Sequence, residues 1–344
     1  MNKKFWVILL IALLTMALIA GCGGKKEEQG GEAPKEAPKT IVLRMGHVVQ
    51  EPTAIHRAAL QFAEAVKERT NGEVIIEVYP ASQLGGNREM IESIQVGSLD
   101  FSIPHVSVIS GFVQGRTAVF DLPYLFKNDA HAEAVLDGEV GQFIANEVKK
   151  SGIVVLAWWT QGWRHVTTGT RAVYSPEDMK GLKIRTMENP LHMAHFNMLG
   201  ASAVPMAFSE VYTSLQQKVI DGQENPYVNI FTMGFYEVQP WITETGHIYD
   251  PTPLIMSEVT YNKLSPEHLK VIEEAAIEFC QVNRELSRSD AEEYKEVILG
   301  TGKNTIIELT PEQRQKFRDA VQKIYDDFAD KELMNKVIKA GENF

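Results

Sequence analysis

Two arginines in this chain stand where a predicted strand ends, a place where a buried cation has to find an anion. Arg185 closes the short stretch Leu182-Lys183-Ile184, with apolar neighbours on its N-terminal side. A guanidinium aimed from a buried strand end toward a cleft is costly unless it meets a counter-charge. Its planar fork grips a carboxylate bidentately, which a lysine cannot do. Arg164, in Gln161-Gly162-Trp163-Arg164, repeats the logic, and Trp163 offers an apolar wall. For either arginine the alternative is an internal salt bridge to Asp or Glu. His47 and His105 also fall just after predicted strands. Two cationic forks in an acidic protein suggest capture of a small anion.

Other chemistries find less support. With 34 Lys+Arg against 45 Asp+Glu the net charge is −11, which argues against binding a phosphate backbone. Two cysteines, Cys22 and Cys280, build neither a disulfide scaffold nor a Cys-rich metal site. Glu188, His192 and His195 have i, i+4, i+7 spacing, but HExxH is absent and the helix begins only at Pro190, so no metal site is expected. Gly300-Thr301-Gly302-Lys303 lacks the spacing of a phosphate loop and reads as a helix end with a turn. No GxSxG and no CxxC occurs, and no GxGxxG follows a strand. No cofactor is implied.

The elements that must position these residues alternate between strand and helix. Ile41–Gly46 reads as a buried opening strand, and Ala54 to Val66 as a helix stopped by Asn71-Gly72. A strand at 73–79, a helix from about Asn87 to Val96 and a strand at 99–103 follow. A second series runs from Gly152 through Lys183-Ile184-Arg185 to a helix from about Pro190 to Leu199. This rhythm predicts an α/β protein with mostly parallel sheets. From Glu267 to about Leu299 there is neither Gly nor Pro, so one helix of roughly 50 Å, long enough to span two lobes, is expected. Pro311 to Met334 is again amphipathic, and Cys280, in a helical apolar pattern, is expected to be a buried structural thiol.

The N-terminus reads as an address. Lys3 and Lys4 precede 16 uncharged residues, Phe5 to Ala20, too few to cross a hydrocarbon core of about 30 Å comfortably. Ile19-Ala20-Gly21-Cys22 resembles a lipobox, so residues 1–21 are expected to be a lipoprotein signal peptide and Cys22 the lipidated residue. Residues 22–39 hold no branched or aromatic side chain and are expected to be a flexible tether. The expected protein is extracytoplasmic, in the periplasm or at the cell surface, and touches the membrane only through its lipid.

Three stretches then carry a specific resemblance. Pro205-Met206-Ala207-Phe208-Ser209-Glu210-Val211-Tyr212, Val219-Ile220-Asp221-Gly222-Gln223-Glu224-Asn225-Pro226 and Gly181-Leu182-Lys183-Ile184-Arg185 resemble the solute receptors of tripartite ATP-independent periplasmic (TRAP) transporters. Gln83-Leu84-Gly85 and Gly97-Ser98-Leu99-Asp100-Phe101 fit the same family, over roughly residues 40 to 335. The resemblance implies a two-lobed periplasmic-binding-protein fold with several hinge crossings. Residues 40–161 plus about 250–289 would form one lobe, and 162–249 plus about 290–344 the other. It implies a receptor, not an enzyme, that closes on an organic acid and delivers it to a small and a large membrane permease subunit.

Carried over by position, Arg185 is the carboxylate clamp and Arg164 a second binding arginine. Phe208 packs against the ligand and Asn225 donates to its carboxylate. Asn87 and His105 replace acidic side chains of the family's sialic-acid receptors, which argues against sialic acid. Glu188 would repel a second ligand carboxylate yet accept from hydroxyls, so a hydroxylated monoacid such as a sugar acid is favoured over a C4-dicarboxylate. His47 and Glu51 lie in a loop where family members touch ligand. The competing readings are a sugar-acid lyase or isomerase using His105 as base, and a ligand sensor.

Overall fold

The computed structural model describes residues 40–344, so the leader, Cys22 and the tether expectation lie outside the described residues. Strands β1 (Ile41–Gly46) and β2 (Val74–Tyr79) are rich in branched side chains and pair in parallel, Ile41 beside Val74. A parallel pair needs a crossover, which helix α1 (Ala54–Arg69) supplies. Thr53 caps its start, its hydroxyl accepting from His56 N at 3.3 Å. Asn71 and Gly72, at φ 51° and 79°, turn the chain out of it. The same device recurs after α2 (Asn87–Val96), where Gly97 adopts φ 75°.

Two sheets result. The first runs β2-β1-β3-β10-β4, with β3 at Phe101–Ser102, β4 at Ile153–Ala157 and β10 at Leu254–Ser257. The second runs β11-β9-β5-β8-β6-β7. Here β5 is Thr160–Thr168, β6 Lys183–Thr186, β7 Ser202–Pro205, β8 Gly222–Asn225, β9 Trp241–Pro251 and β11 Thr305–Ile307. The sheets are mixed: β10 is antiparallel to both its neighbours, and β5 is antiparallel to β8 and β9. The chain changes sheet between Ala157 and Thr160, and back between Pro251 and Leu254. This is a two-lobed α/β architecture with repeated crossings.

The remaining helices of nine or more residues are α3 (Asp129–Asp137), α4 (Glu139–Lys149), α5 (Pro190–Met198), α6 (Pro266–Gly300), α7 (Pro311–Ala320) and α8 (Lys331–Ala340). The 35 residues of α6 reach about 52 Å at about 1.5 Å each. Its first half lies along α1, where Glu278 accepts from Arg69 at 2.7 Å. Its second half meets the other sheet's elements: Lys295 pairs with Glu244 at 2.7 Å, and Tyr294 stacks on Phe231 with centroids 4.6 Å apart. Pro311 to Met334 is not one helix. It breaks near Val321 and again before Asp330, whose carboxylate caps α8 by accepting from Leu333 N at 3.0 Å. The second break sends α8 onto α3, where Val337 O lies 2.9 Å from His131 Nε2.

Trp159 and Phe101 pack edge-on against Phe62 in the core. Cys280 is buried, its Sγ 3.2 Å from Trp158 O, and burial pushes its thiol up to about 12, as suits a structural cysteine.

Candidate functional site

The carboxyl ends of β1, β3, β6 and β8, together with the start of α2, converge on one cavity of about 90 Å³. Open α/β sheets present ligands at this end of their strands. Val48, Asn87 and His105 come from the first sheet's connections, Arg164, Arg185 and Asn225 from strands of the second, and Phe208 from a connection of the second. The cavity therefore lies between the lobes.

Arg185 occupies β6, a strand whose last three residues are buried, and only 3% of its surface is exposed. Its Nε and Nη2 both donate to Met206 O, at 3.0 and 2.7 Å. Nη1 is buried with no partner. Burial lowers its pKa to about 10, with Glu224 only partly opposing the shift. A desolvated guanidinium N–H without an acceptor beside a hollow is chemically suited to an anion.

Arg164 is the opposite case. It is fully buried in β5, and its Nε and Nη2 grip the Glu224 carboxylate while Nη1 donates to Asp250 Oδ2 at 2.6 Å. Nη2 also donates to Glu224 O at 2.6 Å. Burial disfavours its charge, but the two carboxylates outweigh that and hold the guanidinium protonated. Burial would likewise raise both acids. Arg164 and His247 nevertheless keep Glu224 well below the usual carboxylate range, and His105 and Arg164 lower Asp250. Gly222 lets β8 lie this close to β5, since a Cβ there would meet Thr167 O at 2.3 Å. Arg164 lines the cavity with its charge already answered, so of the two alternatives posed by sequence it takes the internal salt bridge.

His105 lines the cavity and sets Nδ1 3.0 Å from both oxygens of Asp250. An ionised carboxylate only accepts, so Nδ1 is the donor. Asn87 lines the cavity, and its Oδ1 is buried without a partner. Phe208 is buried there, edge-on to Phe235 at 6.1 Å. Asn225 also lines it, but its Nδ2 donates to Gln223 and its Oδ1 accepts from Asn229 at 3.0 Å. At the rim, Glu188 lies 3.6 Å from Arg88 Nε, an ion pair that crosses from one lobe to the other.

Three expected residues are elsewhere. Trp163 faces away: strand alternation turns it and Arg164 to opposite sides of β5, and its Nε1 donates to Asp129 at 2.6 Å in a different cavity. His47 is turned into the core, its Nε2 3.1 Å from His56 Nδ1, and its neighbour Val48 takes the cavity position. Glu51 is exposed in the loop and lines no part of this cavity. Sequence reasoning missed the Met206 carbonyl and Glu224, although both stand in motifs it singled out, and it missed Asp250 and Arg88. Nothing local marks Asp250, which meets Arg164 from 86 positions away. Among the described residues no group of His, Cys, Asp and Glu is arranged to hold a metal. His192 and His195 are instead buried, His195 stacked on His247 at 5.2 Å.

Comparison with known proteins decides the family. Residues 45–332 match the family of bacterial extracellular solute-binding proteins, family 7, known as DctP. The chain belongs to the DctP family. Over 279 residues it is 34% identical to the 2,3-diketo-L-gulonate-binding periplasmic protein of Escherichia coli, covering 81% of this chain and 84% of that one. It is 30% identical over 337 residues to the C4-dicarboxylate-binding protein DctB of Bacillus subtilis, covering 96% of each. The crystal structure of a sugar acid binding protein from Advenella mimigardefordensis in complex with galactonate superimposes with a TM-score of 0.86 at 30% identity, over 89% of this chain and 99% of that one. The motif resemblance and the two-lobed fold thus stand on independent ground, and DctP relatives take both sugar acids and dicarboxylates.

Proposed function

We propose that this DctP-family chain captures a hydroxylated monocarboxylate, a sugar acid, in the interlobe cavity and hands it to the membrane subunits of a TRAP permease. The observation that carries the reading is the contrast between its two buried arginines: Arg164 is answered by Glu224 and Asp250, whereas Arg185 has an unpaired Nη1 and no carboxylate. One unanswered cation suits one ligand carboxylate. The other polar groups suit hydroxyls: Asn87 Oδ1 can accept, and so can the Glu188 carboxylate at the rim, whose charge Arg88 answers. Phe208 keeps water from the clamp, which strengthens a short-range contact that the net charge of −11 otherwise disfavours.

Binding rather than turnover is the role the relatives' names support. The proposal includes export by residues 1–21 and anchoring through a lipid on Cys22, with residues 22–39 as tether. Calorimetric titration of D-galactonate, D-glucuronate and succinate tests the ligand class. Tighter binding of a sugar acid, one per chain and without its consumption, is expected. Preference for succinate would favour the dicarboxylate reading, and loss of the acid on long incubation would favour an enzyme. Mass spectrometry of the membrane-extracted protein tests the diacylglyceryl group on Cys22.

A further inference from the structure

A larger cavity, about 710 Å³, lies on the other face of β5, where Trp163 and His165 point. Its walls include β5, β9, the middle of α6 and one face of α7. Three of its cations are answered by acids: Arg284 by Asp137, Arg288 by Glu133, and Lys295 by Glu244 and Glu308. Among the described residues the other three meet no carboxylate within ion-pair distance. Arg314 donates to Thr245 O at 2.9 Å, Arg318 to Tyr124 O at 3.3 Å, and Lys127 to Gly341 O at 2.7 Å. Arg314 and Arg318 stand one turn apart on α7 and so share its face.

Tyr124 joins them. The Arg318 guanidinium lies 5.8 Å from its ring centroid, and its backbone N donates to His247 O at 2.7 Å, beside the Thr245 carbonyl that holds Arg314. The side chain is 5% exposed, and its hydroxyl is buried with no partner. Its φ of 61° is a left-handed conformation rare for an aromatic residue. A cavity wall that carries an unpaired tyrosine and two guanidinium groups outside any ion pair suits an oxygen-rich anion. Asp129 and Glu292 also line the cavity, and Asp129 is engaged by Trp163.

We propose that Arg314, Arg318, Lys127 and the Tyr124 hydroxyl form a second binding site, for a small oxyanion, separate from the Arg185 cavity. The site owes nothing to the reading of the first, since it lies across β5 from it and shares no lining residue with it. The test titrates the full chain at constant ionic strength with inorganic phosphate, and separately with citrate, which distinguishes a phosphate source from a carboxylate source. One saturable equivalent of either anion, with a dissociation constant in the millimolar range or tighter, is expected. That binding should survive Arg185→Met, weaken at least about tenfold in Arg314→Gln/Arg318→Gln, and weaken about threefold in Tyr124→Phe. Should the double variant fail to fold, Tyr124→Phe and Arg318→Gln alone decide. The site is refuted if neither anion saturates, or if folded variants bind both as the parent does.

Discussion

Arg185→Met removes the proposed clamp while keeping side-chain volume and burial. In the ligand-free protein this arginine is desolvated, and the drop of its pKa from 12.5 to about 10 corresponds to about 3–4 kcal/mol against the charged form, at about 1.4 kcal/mol per unit. Two donors to Met206 O recover part of that. Methionine pays neither the desolvation nor the unpaired Nη1, so the ligand-free variant is expected to unfold at the parental temperature or above it. Binding should change in the opposite sense. Truncating one side of a desolvated, hydrogen-bonded charge pair is worth about 2–5 kcal/mol, or roughly 30- to 4,000-fold in Kd. Calorimetry with the tightest acid of the panel, alongside thermal unfolding with and without it, measures both quantities. Arg185→Lys, which keeps the charge and loses the fork, should fall between parent and methionine variant. If the methionine variant binds as tightly as the parent, or if it is severely destabilised without ligand, Arg185 is a structural cation and the clamp argument is wrong.

Asn87→Leu removes the unpaired Oδ1 and is expected to weaken sugar-acid binding about fivefold to tenfold while leaving succinate within about twofold, as competitive titrations would show. Glu224→Gln leaves Arg164 with a single carboxylate in a fully buried site, and a loss of about 3–5 kcal/mol in denaturant unfolding is expected; a loss below about 1 kcal/mol would mean that Asp250 alone suffices. His47 is held neutral, its pKa lowered to about 3 by burial and by His56. Its unfolded value, near 6.5, lies higher, so the unfolded state binds the proton first. Stability from this group is intact above about pH 6.5 and falls by up to about 1.4 kcal/mol per pH unit between there and about pH 3. His47→Gln should flatten that part of the stability curve, and an unchanged slope would show that His47 titrates normally.

Much of this was legible in residue order. Branched runs at Ile41–Gly46 and Val74–Tyr79 and the Gly-free, Pro-free run that becomes α6 are local signals, because strand and helix preferences act over a few residues. The turn chemistry of Asn71-Gly72 and Gly97 was local too. That Arg185 would be buried at a strand end was visible in its nearest neighbours, and the structure leaves its Nη1 without a partner. The β-strand period even implies that Trp163 and Arg164 part company, though not which of them faces the other lobe.

Tertiary structure alone chose between the alternatives. Whether Arg164 would meet a ligand or an internal acid depended on Glu224 and Asp250, carried to it by β8 and β9 from 60 and 86 positions away. Sheet order decides such meetings, and no neighbour along the chain announces them. The break before Asp330 likewise lets α8 bury Leu333, Met334 and Val337 and meet α3 at His131. Local composition thus determined which elements form and which side chains would need partners, because those are short-range energies. The identity of the partners, and with it the division into one answered and one unanswered arginine, was settled by packing between strands far apart in the chain.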